Sequence, residues 1–251
     1  MSIKKERVGH SFTNNQGCHG VVIDYKSATQ VFVRFDNTPE GVIISTTWDR
    51  VLKGQTPNPY YPTTCGVGYL GQGDHKRTIN RTATPAYRYW CDMLRRCYDP
   101  KFHKREPSYA DCIVCDEWHN YQNFAKWFEE NYYEIDSDSL DLDKDLLVAN
   151  NKVYSPKTCW FIPTGINRGF RNNTNRKAIC VLDTGEYVVA PAKQSPRFTV
   201  LDEAKAFYTD WLIDRHIEKL EFYKDELPTE IYQKLYKVLK NYIPTISIFT
   251  R

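Results

Sequence analysis

Residues 140–170 read LDLDKDLLVANNKVYSPKTCWFIPTGINRGF, and the reading of this stretch decides the fold. LDLDKDLL sets Leu140, Leu142 and Leu146 among acids and predicts a strand. VANNKVYSP is turn material, and TCWFIP predicts a second strand. TGINRGFRNN predicts a short helix capped by Thr164. Strand, turn, strand and helix in this order form a ββα unit. Such a unit can hold one metal ion between a strand end and a helix face.

Upstream, Thr84-Pro85 predicts a helix start, since threonine caps and proline suits the first helical position. Ala86, Trp90, Met93, Leu94 and Cys97 then recur at helical spacing and make one buried face. A second helix is expected from about Asp116 to Tyr133, with acids at its start and an aromatic stripe that includes Trp118, Tyr121, Phe124 and Phe128. Residues 58–84 form a connector dense in Pro, Gly and Thr. Residues 8–55 hold short Val-, Ile- and aromatic-rich runs separated by turns, which predicts about five strands in a small Tudor-like β-barrel.

Downstream, KAICVLDTGEYVVA predicts a hairpin turning at Asp183-Thr184-Gly185, with RFTV as a third strand. Thr199 and Asp202 have capping-box spacing ahead of a helix carrying Ala204, Phe207, Trp211 and Leu212. A last helix follows Pro228 and buries Ile231, Leu235, Val238 and Leu239. The expected fold class is therefore α+β and multidomain. Its parts are a barrel over 1–57, a connector over 58–84, a ββα core with helices over 85–175, and a three-stranded sheet plus helices over 176–251.

With 41% hydrophobic and 26% charged residues among 251, the chain is globular rather than disordered. The start, MSIKKERVGHSF, has no apolar run behind its basic residues, and no segment approaches membrane-spanning length. A soluble, cytoplasmic protein with no membrane partner is expected, and its eight cysteines are then thiols or metal ligands rather than disulfides. The net charge of +3 implies little, but its distribution is uneven. Residues 74–105 carry nine Lys/Arg against three acids, and residues 129–145 carry eight acids and one Lys. Residues 161–182 carry Arg168, Arg171, Arg176 and Lys177 with no acid. Basic blocks flanking an acidic pocket suit a protein that grips phosphates, although solvated surfaces produce the same pattern.

Several spaced motifs carry a family resemblance. Y-x-x-W-x-x-M-L-x-R-C-Y spans Tyr87 to Tyr98, and C-x-V-C-x-E-W-x-N-x-Q-N-F-A-x-W-F begins at Cys112. L-D-K-D-L, N-K-x-Y-S-P-x-T-C and I-N follow between Leu142 and Asn167. Over roughly residues 58–170 the chain resembles the HNH-type homing endonucleases of tailed bacteriophages. Its tail, through RFTVLDEAKAFY, is similar to the plant ethylene-response-factor type of DNA-binding domain that often follows this core.

The resemblance implies cleavage or nicking of double-stranded DNA with a divalent metal, Mg or Mn. In that family a histidine at the end of the first strand activates water, an Asn orients it, and a helix residue helps hold the metal. Asp143 fits the acidic ligand, and Asp145 lies beside it. Asn150 or Asn151 fits the turn position and Asn167 the helix position. Lys144 stands where the histidine would be. A lysine at its ordinary pKa of about 10.4 cannot act as a base at neutral pH, and the acids around this one favour its charged form. Either another group takes over, with His103 and His119 nearest in sequence, or the core does not cleave.

The second reading is a catalytically inactive module that binds nucleic acid or a host protein, as a phage regulator or an inhibitor of host defence. Arg168, Arg171, Arg176, Lys177, Lys193 and Arg197 are the expected DNA contacts. Cys112-x-x-Cys115 has zinc-knuckle spacing and, with Cys97 and Cys159, could close a structural Zn site; four buried small hydrophobes are the plainer reading.

Overall fold

The structure, a computed structural model, describes residues 6–148, 150–170, 178–244 and 246–250. These residues are mixed α+β, with eight α-helices and several small sheets. The chain divides into two compact units, Met1–Glu130 and Asn131–Arg251.

The first unit opens with β1 (Ser11–Thr13), β2 (His19–Ser27), β3 (Gln30–Phe35) and β4 (Ile44–Thr46), an antiparallel sheet in that order, followed by α1 (Trp48–Leu52). Alternate residues of β2 and β3 point inward, so Val22, Val31, Val33 and Phe35 bury with Val51 of α1. The sheet is open, and among the described residues no sheet closes into the expected barrel. Among the described residues no fifth strand joins β4 to β1. That gap is spanned by side chains of residues 14–58: the Thr46 and Thr56 hydroxyls bond at 2.9 Å, and Asn14 Nδ2 donates to the Thr56 carbonyl at 3.0 Å. Buried polar groups paired in this way supply what a strand ladder would otherwise supply.

After β5 (Thr78–Ile79) and β6 (Thr82–Ala83) comes α2 (Pro85–Tyr98), capped as expected by the Thr84 hydroxyl. Ala86, Trp90, Met93, Leu94 and Cys97 are its buried face, and each fully buried large side chain contributes about 1.5–3 kcal/mol. Then follow α3 (Pro100–Arg105), β7 (Ile113–Val114), α4 (Asp116–His119) and α5 (Tyr121–Asn131). The single helix expected over 116–133 is thus broken at Asn120, whose backbone is extended. The connector causes the break: Tyr69 N–H donates to the His119 carbonyl, and Tyr121 N–H donates to the Tyr69 carbonyl, both at 2.9 Å. Gln122 Nε2 ties the same connector through the Leu70 and His75 carbonyls at 3.2 and 3.1 Å.

The second unit contains β8 (Leu140–Asp143), β9 (Val153–Tyr154), β10 (Trp160–Pro163) and α6 (Thr164–Phe170); β8, β10 and α6 follow the expected ββα order, while β9 is a short strand within the stretch read as turn. β8 and β10 run antiparallel with Asp143 opposite Trp160 and Leu140 opposite Pro163. β11 (Ile179–Val181), β12 (Tyr187–Val189), α7 (Leu201–Phe222), α8 (Thr229–Lys240) and β13 (Ile248–Thr250) complete the unit.

The tail sheet has three strands, but its third is β13, parallel to β11, rather than RFTV. Phe198 makes only an isolated bridge to Tyr187. The capping box is also absent: α7 starts after Val200 without a side-chain cap, and Asp202 instead pairs with Lys205 at 2.9 Å.

α7 serves two cores. Its first half packs Ala204, Tyr208 and Leu212 on the tail sheet, and Leu220 near its end packs on Ile162 and Ile166 of the ββα element. α8 adds Ile231, Leu235 and Leu239 to the latter core, while Val238 stays half-buried. Close approach of α6 to α7 depends on two glycines. A Cβ on Gly165 would lie 2.6 Å from the Tyr223 hydroxyl, and one on Gly169 would lie 2.9 Å from His216.

Candidate functional site

Strand alternation places Asp141 and Asp143 on one face of β8, between buried Leu140 and Leu142. Each carboxylate already has internal partners. Asn167 of α6 donates from Nδ2 to Asp141 Oδ2 at 3.0 Å. Asp143 Oδ1 accepts the backbone N–H groups of Asp145 and Leu146 at 3.0 and 2.7 Å, closing a tight turn at the strand end. Burial pushes the Asp143 carboxyl up to about 6, against those two hydrogen bonds and with the Asp145 charge adding to the rise.

Lys144 points inward. Its side chain is only 6% exposed, and Nζ lies 2.8 Å from Oδ2 of half-exposed Asp145. The Tyr154 ring lies 5.6 Å from the same ammonium group. Asn151 is a backbone staple: Nδ2 donates to the carbonyls of Lys144 and Val153 at 2.8 and 2.7 Å, and Oδ1 accepts Val153 N–H at 3.2 Å. Asn150 takes the left-handed turn conformation beside it, with φ 61°. The Ser-Pro-x-Thr-Cys turn closes on itself through Thr158, whose hydroxyl donates to the Val153 carbonyl at 2.8 Å.

Much of the donor set is already engaged in this arrangement. Asp143 spends one oxygen on two backbone donors, Asn167 turns its amide N–H to Asp141, and a lysine ammonium covers the Asp145 carboxylate. A cation placed among them would face that ammonium at short range in a poorly solvated site. Among the described residues no group of three or more His, Cys, Asp or Glu side chains is gathered for a metal. Cys97 and Cys112 are buried and Cys115 half-buried in the first unit, and Cys159 is buried in the second.

His103 and His119 belong to the first unit and are engaged there. A His103 ring nitrogen lies 2.9 Å from the Arg96 carbonyl, and His119 Nε2 lies 3.3 Å from the Tyr98 hydroxyl. Of the basic residues, Arg168 is exposed on α6, Lys193 is exposed, and Arg197 pairs with Glu186 at 3.0 Å. Arg171, Arg176 and Lys177 lie outside the described residues.

Two features of the site escape sequence reasoning. Asp141 holds Asn167, and only its two-residue spacing from Asp143 hinted at a shared face. Asp138 seats α6: Oδ2 accepts Gly165 N–H at 2.7 Å and the Tyr223 hydroxyl at 2.8 Å. Burial pushes the Asp138 carboxyl up, but hydrogen bonds from Gly165, Ser139 and Tyr223 outweigh it and hold the group below its ordinary value. Burial and this same bond push Tyr223 up to about 12.

No family model, curated protein or solved structure matches the chain. The family resemblance therefore rests on the motifs and on the ββα order that they occupy.

Proposed function

We propose that this chain binds duplex DNA through an HNH-like ββα core that does not use the family's histidine chemistry. One observation carries the reading: Lys144, at the end of the first strand, is buried and ion-paired to Asp145. An ammonium held by a carboxylate has no lone pair with which to take a proton from water. Retention of the ββα frame, with Arg168 exposed on its helix and Lys193 exposed in the tail, supports phosphate contact without hydrolysis.

In this reading the chain is a multidomain, phage-borne protein acting in the host cytoplasm. Residues 85–175 form its core, and residues 176–251 act as an ethylene-response-factor-like DNA contact. Among the described residues no helix is long and apolar enough to cross a membrane. The inactive core equally suits a regulator or an inhibitor of host defence that acts on a host protein.

The competing reading is nicking of DNA with Mg or Mn. The frame itself favours it, with Asp143 at the strand end where the family places an acidic ligand. One experiment separates the two. Purified protein is titrated onto labelled duplexes and, in parallel, incubated with supercoiled plasmid and Mg or Mn. The binding reading expects salt-dependent association and intact plasmid. Nicking that disappears in Asp143→Ala would replace it with the endonuclease reading. Elemental analysis of the same preparation tests the zinc reading of Cys97, Cys112, Cys115 and Cys159.

A further inference from the structure

We infer that the elbow between α2 and α3, in the first unit, is a second phosphate-gripping surface for duplex DNA. Residues 95–105, RRCYDPKFHKR, carry Arg95, Arg96, Lys101, Lys104 and Arg105 against a single acid, Asp99. That acid is committed to structure, because its carboxylate caps α3 by accepting Lys101 N–H at 2.8 Å. Among the described residues Lys101, Lys104 and Arg105 make no ion pair, and all three are exposed.

The elbow also orders its guanidinium groups. Phe102 and Tyr109 meet edge to face at 5.6 Å. Arg95 and Arg105 lie over the Phe102 ring at 5.6 and 5.8 Å, and Arg96 lies over Tyr109 at 6.0 Å. A cation resting on an aromatic face gives up less side-chain freedom when it meets a partner. A guanidinium so placed offers a planar fork that matches phosphate oxygens. Arg95 also pairs with Asp92 at 2.8 Å, so the open part of the row is Lys101, Lys104 and Arg105, and it complements a polyanion of regular spacing, such as the DNA backbone. It reads no base, so its contribution is affinity rather than sequence choice.

This inference rests on the DNA-binding reading above, yet uses none of the residues assigned to it. The test measures binding of a labelled duplex of about 25 base pairs by the full chain and by Lys101→Ala/Lys104→Ala/Arg105→Gln, between 50 and 200 mM salt. Loss of three phosphate contacts is expected to lower the salt slope by about 2.7 and the affinity at 0.15 M salt on the order of 100-fold. Lys101→Arg/Lys104→Arg, which keeps the charges, is expected to bind like the wild-type chain. Circular dichroism melting of each variant checks that the fold is retained. Wild-type binding with an unchanged slope in the triple variant would overturn the elbow and leave the core's reading standing. Loss of affinity in the arginine pair as well would also overturn it, since charge would then not be the source. A wild-type chain that binds no duplex would remove the DNA-binding reading and the elbow together.

Discussion

The strand end at 141–147, DLDKDLL, and the elbow at 95–105 are both charge-rich, yet they use charge in opposite directions. The strand end turns its charges on itself: Asp143 takes backbone donors, Asp141 takes Asn167, and Lys144 is buried against Asp145. Apart from Arg95, which pairs with Asp92 at 2.8 Å, the elbow turns its charges outward, with Arg105 held over a phenylalanine and with exposed lysines free of ion pairs among the described residues. Charge density in a sequence thus does not say whether a group is available. Burial and local hydrogen-bond supply decide that, because a buried ion must be paired while an exposed one is already solvated.

The largest effect expected from this contrast is an asymmetry within one ion pair. Asp145→Ala removes the carboxylate paired with a buried ammonium and should destabilise the protein by about 3 kcal/mol in urea unfolding. Lys144→Met keeps the volume and removes the buried charge, so it should be nearly neutral. Equal losses in the two variants would mean that the pair behaves like a surface one.

The second effect is a pH dependence. The Asp143 carboxyl titrates near 6 in the folded protein, above its ordinary value of 3.8. Its contribution to stability is therefore complete below the unfolded value and fades as pH rises through 6. Between pH 4 and 6 the wild-type chain should lose stability relative to Asp143→Asn, with a slope of at most about 1.4 kcal/mol per pH unit. A parallel pair of curves would show that burial does not govern this group.

Next in size, Asn151→Ala unpins the turn that holds Lys144 inward and should destabilise by about 1.5 kcal/mol. Its lost amide releases Val153 N–H, so faster backbone amide exchange should be confined to this loop. The smallest effect belongs to the elbow. Each of Lys101→Ala and Lys104→Ala should change stability by less than about 0.5 kcal/mol, because exposed charges without partners contribute little to folding. A large loss there would show that the elbow is a structural feature like the strand end.

Much of the fold was legible residue by residue. α2 announces itself by Thr84-Pro85 and by apolar spacing, and the ββα order is visible in LDLD, WFIP and TGIN. The capping box fails locally, with Asp202 drawn to Lys205, but three larger failures share one cause. The helix break at Asn120 comes from Tyr69, the third tail strand from the end of the chain, and the unclosed front sheet from Asn14 and Thr56. Each depends on a partner distant in sequence. A local pattern reports the preference of a segment but not which remote donor will outbid its neighbour.

The candidate site divides in the same way. Sequence alone determined that an acidic strand end carries a lysine among three aspartates, and that basic residues cluster on either side of it. Only the tertiary structure decided that Lys144 is buried and paired, that Asn167 serves Asp141, and that Asn151 serves the backbone. The physical reason is that a residue's type is local, while its solvation is a property of everything packed around it. Solvation decides whether an ionisable group can take up a proton, hold a cation or meet a phosphate.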